Sequence, residues 1–315
     1  MTAATRRSVL ARLGVLGVGV RGLLLARQQL VWPTPDVAFT SGAGGSGWLP
    51  IPRFVGLVEL PATVAGRPIR AVVDSGAQYS AIDDALAMDL RLPAATPLPM
   101  LAFGVSGAPS LTRAVRLDLD LGPMRLERLR AATLNLAGLS GLTPRPFSML
   151  LGRDFLRRVI ADFDFPNHRC AFFHAEGWTP PERGQAATVR GRAGALMVSV
   201  AVEDAEPVEV MIDTGATGAL ALSAKAAEAA GLLDGRRVRV GRSVTLGGVS
   251  HDRMVRARAV QVAGRRLSDV PVQIFAPSMP GAIPDGLLGL GLLRHFRVAL
   301  DHGAGRLFLS GGPSS

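Results

Sequence analysis

Ala71-Val72-Val73-Asp74-Ser75-Gly76-Ala77 and Val210-Met211-Ile212-Asp213-Thr214-Gly215-Ala216 are two copies of one pattern. In each, an apolar run of strand-forming residues ends in a carboxylate, a hydroxyl residue and a glycine. The run reads as a buried strand, so the Asp is delivered to a strand end. The glycine lets the backbone turn tightly and lets a second strand end approach closely. Two such ends facing each other would hold two carboxylates around one water, and like charge would force the pair to share a proton. A single Asp-Ser/Thr-Gly is also an ordinary turn, because Asp side chains bond nearby backbone and Gly accepts positive φ. The second copy in a matching context is what favours a site over a turn.

The match runs well beyond seven residues and marks an internal duplication. Pro68 and Pro207 each stand six residues before their Asp and follow segments that read as hairpin turns. The flanking strands are expected within 55–64 and 69–73 in one half, and 196–202 and 208–212 in the other. Downstream, Met149-Leu150-Leu151-Gly152-Arg153-Asp154-Phe155-Leu156 matches Gly286-Leu287-Leu288-Gly289-Leu290-Gly291-Leu292-Leu293. Gly152 lies 78 residues after Asp74, and Gly289 lies 76 after Asp213. Each half then closes with an acid and a terminal strand, at Asp162-Phe163-Asp164 to Phe173 and at Leu300-Asp301 to Leu309. Helix signals are few: Asp83–Leu90, Ser223–Gly231, and short segments after Gly152 and Gly289.

These residues resemble the retropepsin-like branch of the aspartic proteases. Its marks are two apolar residues before Asp-Ser/Thr-Gly-Ala/Ser, a flap hairpin, and two apolar residues with Gly before a short helix. The resemblance covers roughly residues 54 to 311. It implies a mainly β fold of two homologous retropepsin-like β-barrel lobes with a few short helices, related by pseudo-twofold symmetry. Lobe one would span 54–175 and lobe two 186–311. The second lobe departs from the pattern at Leu290 and Gly291, where a polar pair usually ties the helix down. Viral relatives assemble the site from two identical subunits, whereas this chain carries both halves covalently.

What the resemblance implies for chemistry is peptide-bond hydrolysis by a water held between Asp74 and Asp213, with no covalent intermediate, cofactor or metal. Which Asp carries the proton stays open at this point. Ser75 and Thr214 would lock the two loops together. Gly76 and Gly215 would keep the cleft floor narrow, with Ala77 and Ala216 beside them, and Gly152 and Gly289 would serve structurally. Gly104, Val105, Ser106 and Gly107, and Gly247, Gly248 and Val249, are the flap candidates. The partner would be an extended protein or peptide bound as an added strand. Pepsin-like enzymes commonly carry Ser or Thr where Ala77 and Ala216 stand. Without that hydroxyl the pair should hold its shared proton to higher pH, giving activity at mildly acidic to neutral pH. The alternative is a peptide-binding module that keeps the duplicated fold without turnover. A monomer is expected, with an exchanged homodimer left open.

Composition agrees with a large β-rich core: 315 residues, 48% hydrophobic, 37 Gly, 22 Pro and 19% charged. The net charge of +10 does not mark a nucleic-acid binder. Five of the 35 basic residues fall in the acid-free first 30 positions, which leaves 30 basic against 25 acidic residues elsewhere. No basic stripe with interleaved aromatics is present. Cys170, the single cysteine, excludes an intramolecular disulfide and reads as core. His168, His174, His295 and His302 lack metal-site spacing and read as surface or strand-end residues.

Thr5-Arg6-Arg7-Ser8-Val9-Leu10 resembles a twin-arginine export signal, so residues 1–30 are read as a signal or anchor and the location as periplasmic or secreted. Arg12 and Arg21 interrupt the apolar stretch, and a cytoplasmic or membrane-surface location is the alternative. Any membrane association would run through this segment. Residues 31–53, rich in Gly and Ser, read as a flexible linker. Two G-x-G-x-x-G matches, at Gly17 and Gly42, fall in these two segments and lack the strand-turn-helix context of a dinucleotide site.

Overall fold

In the computed structural model the described residues are 32–40, 42, 44–51, 56–95, 100–102, 110–140, 145–181, 185–188, 194–245, 248–275 and 284–311. The signal-like segment 1–30 lies outside them. Met1–Thr34 and Pro35–Ser315 are separate units, and the second carries both repeats. No helix among the described residues is long and apolar enough to cross a membrane.

Lobe one is a closed barrel of six strands: β1 (Glu59–Val64), β2 (Arg67–Val73), β3 (Ala81–Asp83), β4 (Ala114–Asp120), β5 (Met124–Leu134) and β6 (Met149–Leu151). Around the barrel the order is β1-β2-β6-β3-β5-β4, and β4 closes on β1. Lobe two repeats it with β7 (Met197–Val202), β8 (Val208–Asp213), β9 (Leu220–Ser223), β10 (Gly248–Val262), β11 (Arg265–Phe275) and β12 (Gly286–Gly289). There the order is β7-β8-β12-β9-β11-β10, closing β10 on β7. Each strand of lobe one therefore has its counterpart six numbers on. The parallel pairs repeat too, β2 with β6 and β8 with β12, which places each Asp-bearing loop beside the strand end that carries Gly152 or Gly289.

Local sequence explains the elements. The β1–β2 turn is Ala65-Gly66, both at positive φ (47° and 80°), the two-residue hairpin geometry that suits the strand twist. Asp83 caps the helix Asp84–Asp89 by accepting from Leu86 N–H, and Ser223 caps Ala224–Ala229 by accepting from Ala226 N–H. Short helices follow Gly152 (Arg153–Leu156) and Gly289 (Leu290–Leu293).

A third sheet joins the lobes. Its strands run Gln185–Thr188, Arg306–Ser310, Arg297–Asp301, Ile160–Asp164, Arg169–Phe173 and Leu49–Pro50. At its centre the lobe-one strand Ile160–Asp164 pairs antiparallel with the lobe-two strand Arg297–Asp301, and Asp162 lies opposite Ala299. Gly152 and Gly289 are 137 positions apart, and so are Asp162 and Ala299, so the pseudo-twofold axis passes through that pair. Asp162 is fully buried and takes a two-pronged contact from Arg297 (Nε to Oδ1 2.9 Å, Nη2 to Oδ2 2.7 Å), which ties lobe two to lobe one. Cys170 is buried in the same sheet, and burial pushes its thiol up to about 12.

The linker reading of 31–53 requires correction. Asp36–Phe39 pairs with β5, Leu49–Pro50 pairs with Arg169–Cys170, and Gly45 bridges Phe173. Two of its small residues, Gly45 and Ser46, serve close packing. A Cβ on Gly45 would stand 2.5 Å from the Phe173 ring, and Ser46 Oγ accepts from Phe172 N–H at 2.9 Å. Composition alone cannot tell such a glycine from one in a flexible tether.

One buried group strains the core. Glu59 lies in β1 directly opposite Val72, its side chain is 2% exposed, and neither carboxylate oxygen has a hydrogen-bond partner. Arg70 Nε is 4.0 Å away. Burial raises the pKa of Glu59 above the ordinary value, opposed by Arg70 and Arg145. The matching position in lobe two is Met197, opposite Met211. A folded state that holds a proton more tightly than the unfolded chain loses stability as pH rises through the raised value. Glu59→Met should therefore stabilise at pH 7 by about 1–3 kcal/mol and flatten the fall in stability with rising pH. Thermal melts between pH 4 and 8 measure both.

Candidate active site

β2 and β8 bring their carboxylates to one place. Asp74 N–H donates to Leu151 O (2.9 Å), and Asp213, the last residue of β8, pairs with Gly289. The loops that follow then cross the lobe boundary. A Cβ on Gly76 would lie 2.5 Å from Asp213 Oδ1, and one on Gly215 would lie 2.5 Å from both Cγ and Oδ1 of Asp74. Each glycine is thus packed against the carboxylate of the opposite lobe, closer than any side chain permits. The two carboxyl groups meet at the lobe boundary, each beside the glycine of the other loop.

Ser75 and Thr214, both fully buried, make a reciprocal interlock. Ser75 Oγ donates to Ile212 O (2.8 Å) and accepts from Thr214 N–H (3.0 Å). Thr214 Oγ1 donates to Val73 O (2.8 Å) and accepts from Ser75 N–H (2.9 Å). Four buried backbone groups at the two strand ends thereby gain partners across the lobe boundary.

The carboxylates are not equivalent. Asp74 Oδ1 accepts from both Gly76 N–H (2.9 Å) and Ala77 N–H (3.0 Å). Asp213 Oδ1 accepts from Gly215 N–H (2.9 Å), while Ala216 N–H points to the Asp213 carbonyl (3.3 Å). Burial raises Asp74, and the two N–H donors and Arg153 oppose it. Burial, then the adjacent Asp74 charge, pushes Asp213 up to about 8. A buried like-charged pair of this kind holds one proton between its members.

The supporting glycines differ between lobes in an informative way. A Cβ on Gly152 would lie 2.6 Å from the Tyr79 carbonyl carbon, and one on Gly289 would lie 2.4 Å from Gly218 O. In lobe one the next turn is tied by buried Asp154, whose Oδ1 accepts from Ser80 N–H (2.9 Å), Ser80 Oγ (2.7 Å) and Phe155 N–H (3.0 Å). In lobe two the counterparts are Gly291 and Ala219. Gly291 N–H bonds Gly218 O (2.9 Å), and a Cβ there would lie 2.7 Å from Ala219 N. Direct backbone packing thus replaces the side-chain tie.

Arg153 is a site residue that the sequence pattern did not single out. It is 5% exposed, and its Nη1 lies 3.5 Å from Met211 Sδ, two residues before Asp213. The Arg153-Asp154 against Leu290-Gly291 difference was its visible signal, but a contact spanning 58 positions was not.

The flap candidates are placed in part. In lobe one Met100–Ala102 and Ser110–Thr112 pair antiparallel; Gly104, Val105, Ser106 and Gly107 fall in their connection, outside the described residues. In lobe two Arg239–Thr245 pairs with β10, with Gly248 opposite Thr245 and Val249 opposite Val244, and Gly247 lies outside the described residues. No group of three or more potential metal-ligating side chains occurs among the described residues.

A family model described as aspartyl protease matches the chain twice, over residues 60–155 and 198–292. Among solved structures, an aspartic proteinase from Irpex lacteus aligns with a TM-score of 0.53 at 11% identity, covering 84% of this chain and 97% of that one. A retropepsin-like aspartic protease from Rickettsia conorii aligns at 19% identity over 42% of this chain and 97% of its own, with a TM-score of 0.32. No curated protein matches by sequence.

Proposed function

Because the chain belongs to the aspartyl protease family, with both repeats matched, we propose that it is an aspartic endopeptidase with Asp74 and Asp213 as its catalytic pair. The observation that carries this reading is the reciprocal packing of Gly76 on Asp213 and Gly215 on Asp74. A scaffold kept only for binding would have no need to press two buried carboxylates together at the cost of their charge.

The reaction follows from one shared proton. A water held by the pair gives a proton to the ionised carboxylate as its oxygen attacks the scissile carbonyl carbon. The protonated carboxyl donates to the carbonyl oxygen, which takes up the developing negative charge. Collapse of the tetrahedral species expels the amine, which is protonated from the pair, and returns one proton to the pair. The substrate lies extended, with its backbone bonded to the glycine-bearing loops and the flap hairpins. The interlock closes within one chain, so a monomer suffices. The twin-arginine-like start fits a periplasmic or secreted enzyme.

The pH window tests the pair directly. Activity requires exactly one proton on the pair, so it falls at low pH when both are protonated and at high pH when both ionise. Both carboxyls are raised, so the window lies above that of pepsin, whose pair titrates near about 1.5 and 4.7. Digestion of a proteome-derived peptide mixture across pH 3–9, with and without a pepstatin-like inhibitor, should give inhibitor-sensitive cleavage centred between mildly acidic and neutral pH. An optimum well below pH 4 would contradict it. Ala77→Ser, which offers Asp74 another donor, should move the acidic limb down. Binding of extended peptides with no cleavage at any pH would leave the inactive module.

A further inference from the structure

We propose that Arg153 is a positioning residue that places the single proton of the pair on Asp213 and leaves Asp74 as the base that takes the proton of water. This rests on the protease reading and assigns the two roles within it.

The two lobes match strand for strand, yet the position after the structural glycine is Arg153 in one and Leu290 in the other. Arg153 is buried, its N–H is bonded to Ala77 O in the Asp74 loop (2.9 Å), and its guanidinium reaches across the lobe boundary to Met211. Its Nε has no hydrogen-bond partner, and the contact its guanidinium makes is with a thioether sulfur and not a carboxylate. An isolated buried cation is strongly unfavourable. The compensating charge is the one that the pair retains, and of the two carboxyls Asp74 lies in the loop that Arg153 N–H itself holds at Ala77.

Backbone donors point the same way. Two N–H groups reach Asp74 Oδ1 within 3.0 Å, whereas only Gly215 N–H comes as close to Asp213 and Ala216 N–H acts on it more weakly, and such donors favour the charged form. The other charged or titratable groups around Arg153 do not offset this. Arg157 adds a like charge, and Asp154 is engaged by Ser80. Burial holds Tyr79 above its ordinary value and pushes His302 down to about 4, so both are neutral in the working range.

The kinetic test compares Arg153→Leu, which copies lobe two, with Arg153→Lys, which keeps the charge. Loss of the cation should raise the acidic limb of kcat/KM by about one pH unit, about tenfold in rate on that limb, while Lys stays near wild type. An unmoved limb in Arg153→Leu, or equal shifts in both variants, overturns the proposal. A second test needs no turnover and so separates failure here from failure of the protease reading. Asn imitates a protonated Asp, so at pH 6 Asp213→Asn should melt near wild type and Asp74→Asn clearly lower. The gap should close when Arg153→Leu is added, or Arg153→Met if the former does not fold. Equal melting of the two Asn variants in the wild-type background would refute the assignment.

Discussion

Asp74→Asn and Asp213→Asn are each expected to cut peptide hydrolysis by about 10²–10⁴-fold with the protein still folded at assay temperature, Asp74→Asn with the lower melting temperature. Asn matches Asp in shape, and the acceptor on Asp74 that receives Gly76 and Ala77 N–H can be supplied by an amide oxygen. What disappears is the exchange of a proton with water and with the scissile carbonyl. The two losses should not add. Once one member is neutral and fixed, the other has no proton cycle to complete, so the double variant should be little worse than either single one. Turnover measured with one fluorogenic peptide across all three variants checks this, and a single variant with more than a tenth of wild-type activity would dismiss the pair as the machinery.

Gly215→Ala should be nearly as damaging by an unrelated route. The added methyl would fall 2.5 Å from Asp74, inside contact distance, and Gly76→Ala would do the same to Asp213. The neighbour is not a flexible tip that can swing away. Asp74 is held by two N–H bonds, and its loop is locked by the Ser75–Thr214 interlock. Relief must come from separating the lobes at their boundary, which lengthens the four interlock bonds together. The expected outcome is a loss of activity beyond 10²-fold and a melting temperature several degrees lower, whereas Gly66→Ala, where a Cβ meets nothing within 4 Å, should cost only the strain of its positive φ. Near-wild-type activity in Gly215→Ala would contradict the packing described here.

Much of the architecture was legible because the chain states it twice. The hairpins before each Asp, the capped helices at Asp83 and Ser223, and the glycines at 152 and 289 all carry local signals, namely turn residues, cap residues and apolar runs, that need no knowledge of the partner lobe. Ser75 and Thr214 were identified by pattern, but their cross-lobe bonds required the two strand ends to meet. The Gly45–Ser46 segment was misread because its packing partners, Phe172 and Phe173, lie over a hundred positions away. Arg153 likewise carries no local signal of its contact with Met211, which spans 58 positions. An arginine in a short helix after a turn looks like any surface residue until the fold encloses it.

The seam of the central sheet also decides which halves can join. Two copies of lobe one docked through Ile160–Asp164 would set one Asp162 against another across the axis, both buried, with Ile160 standing where Arg297 supplies the guanidinium. Two copies of lobe two would oppose Ala299 to Ala299, remove the Asp162 carboxylate and set each Arg297 opposite Asp301, which Arg306 already engages. Only the mixed arrangement gives the buried Asp162 its guanidinium, so the same residues that hold the halves together penalise self-association of lobe one and give lobe two no matching tie.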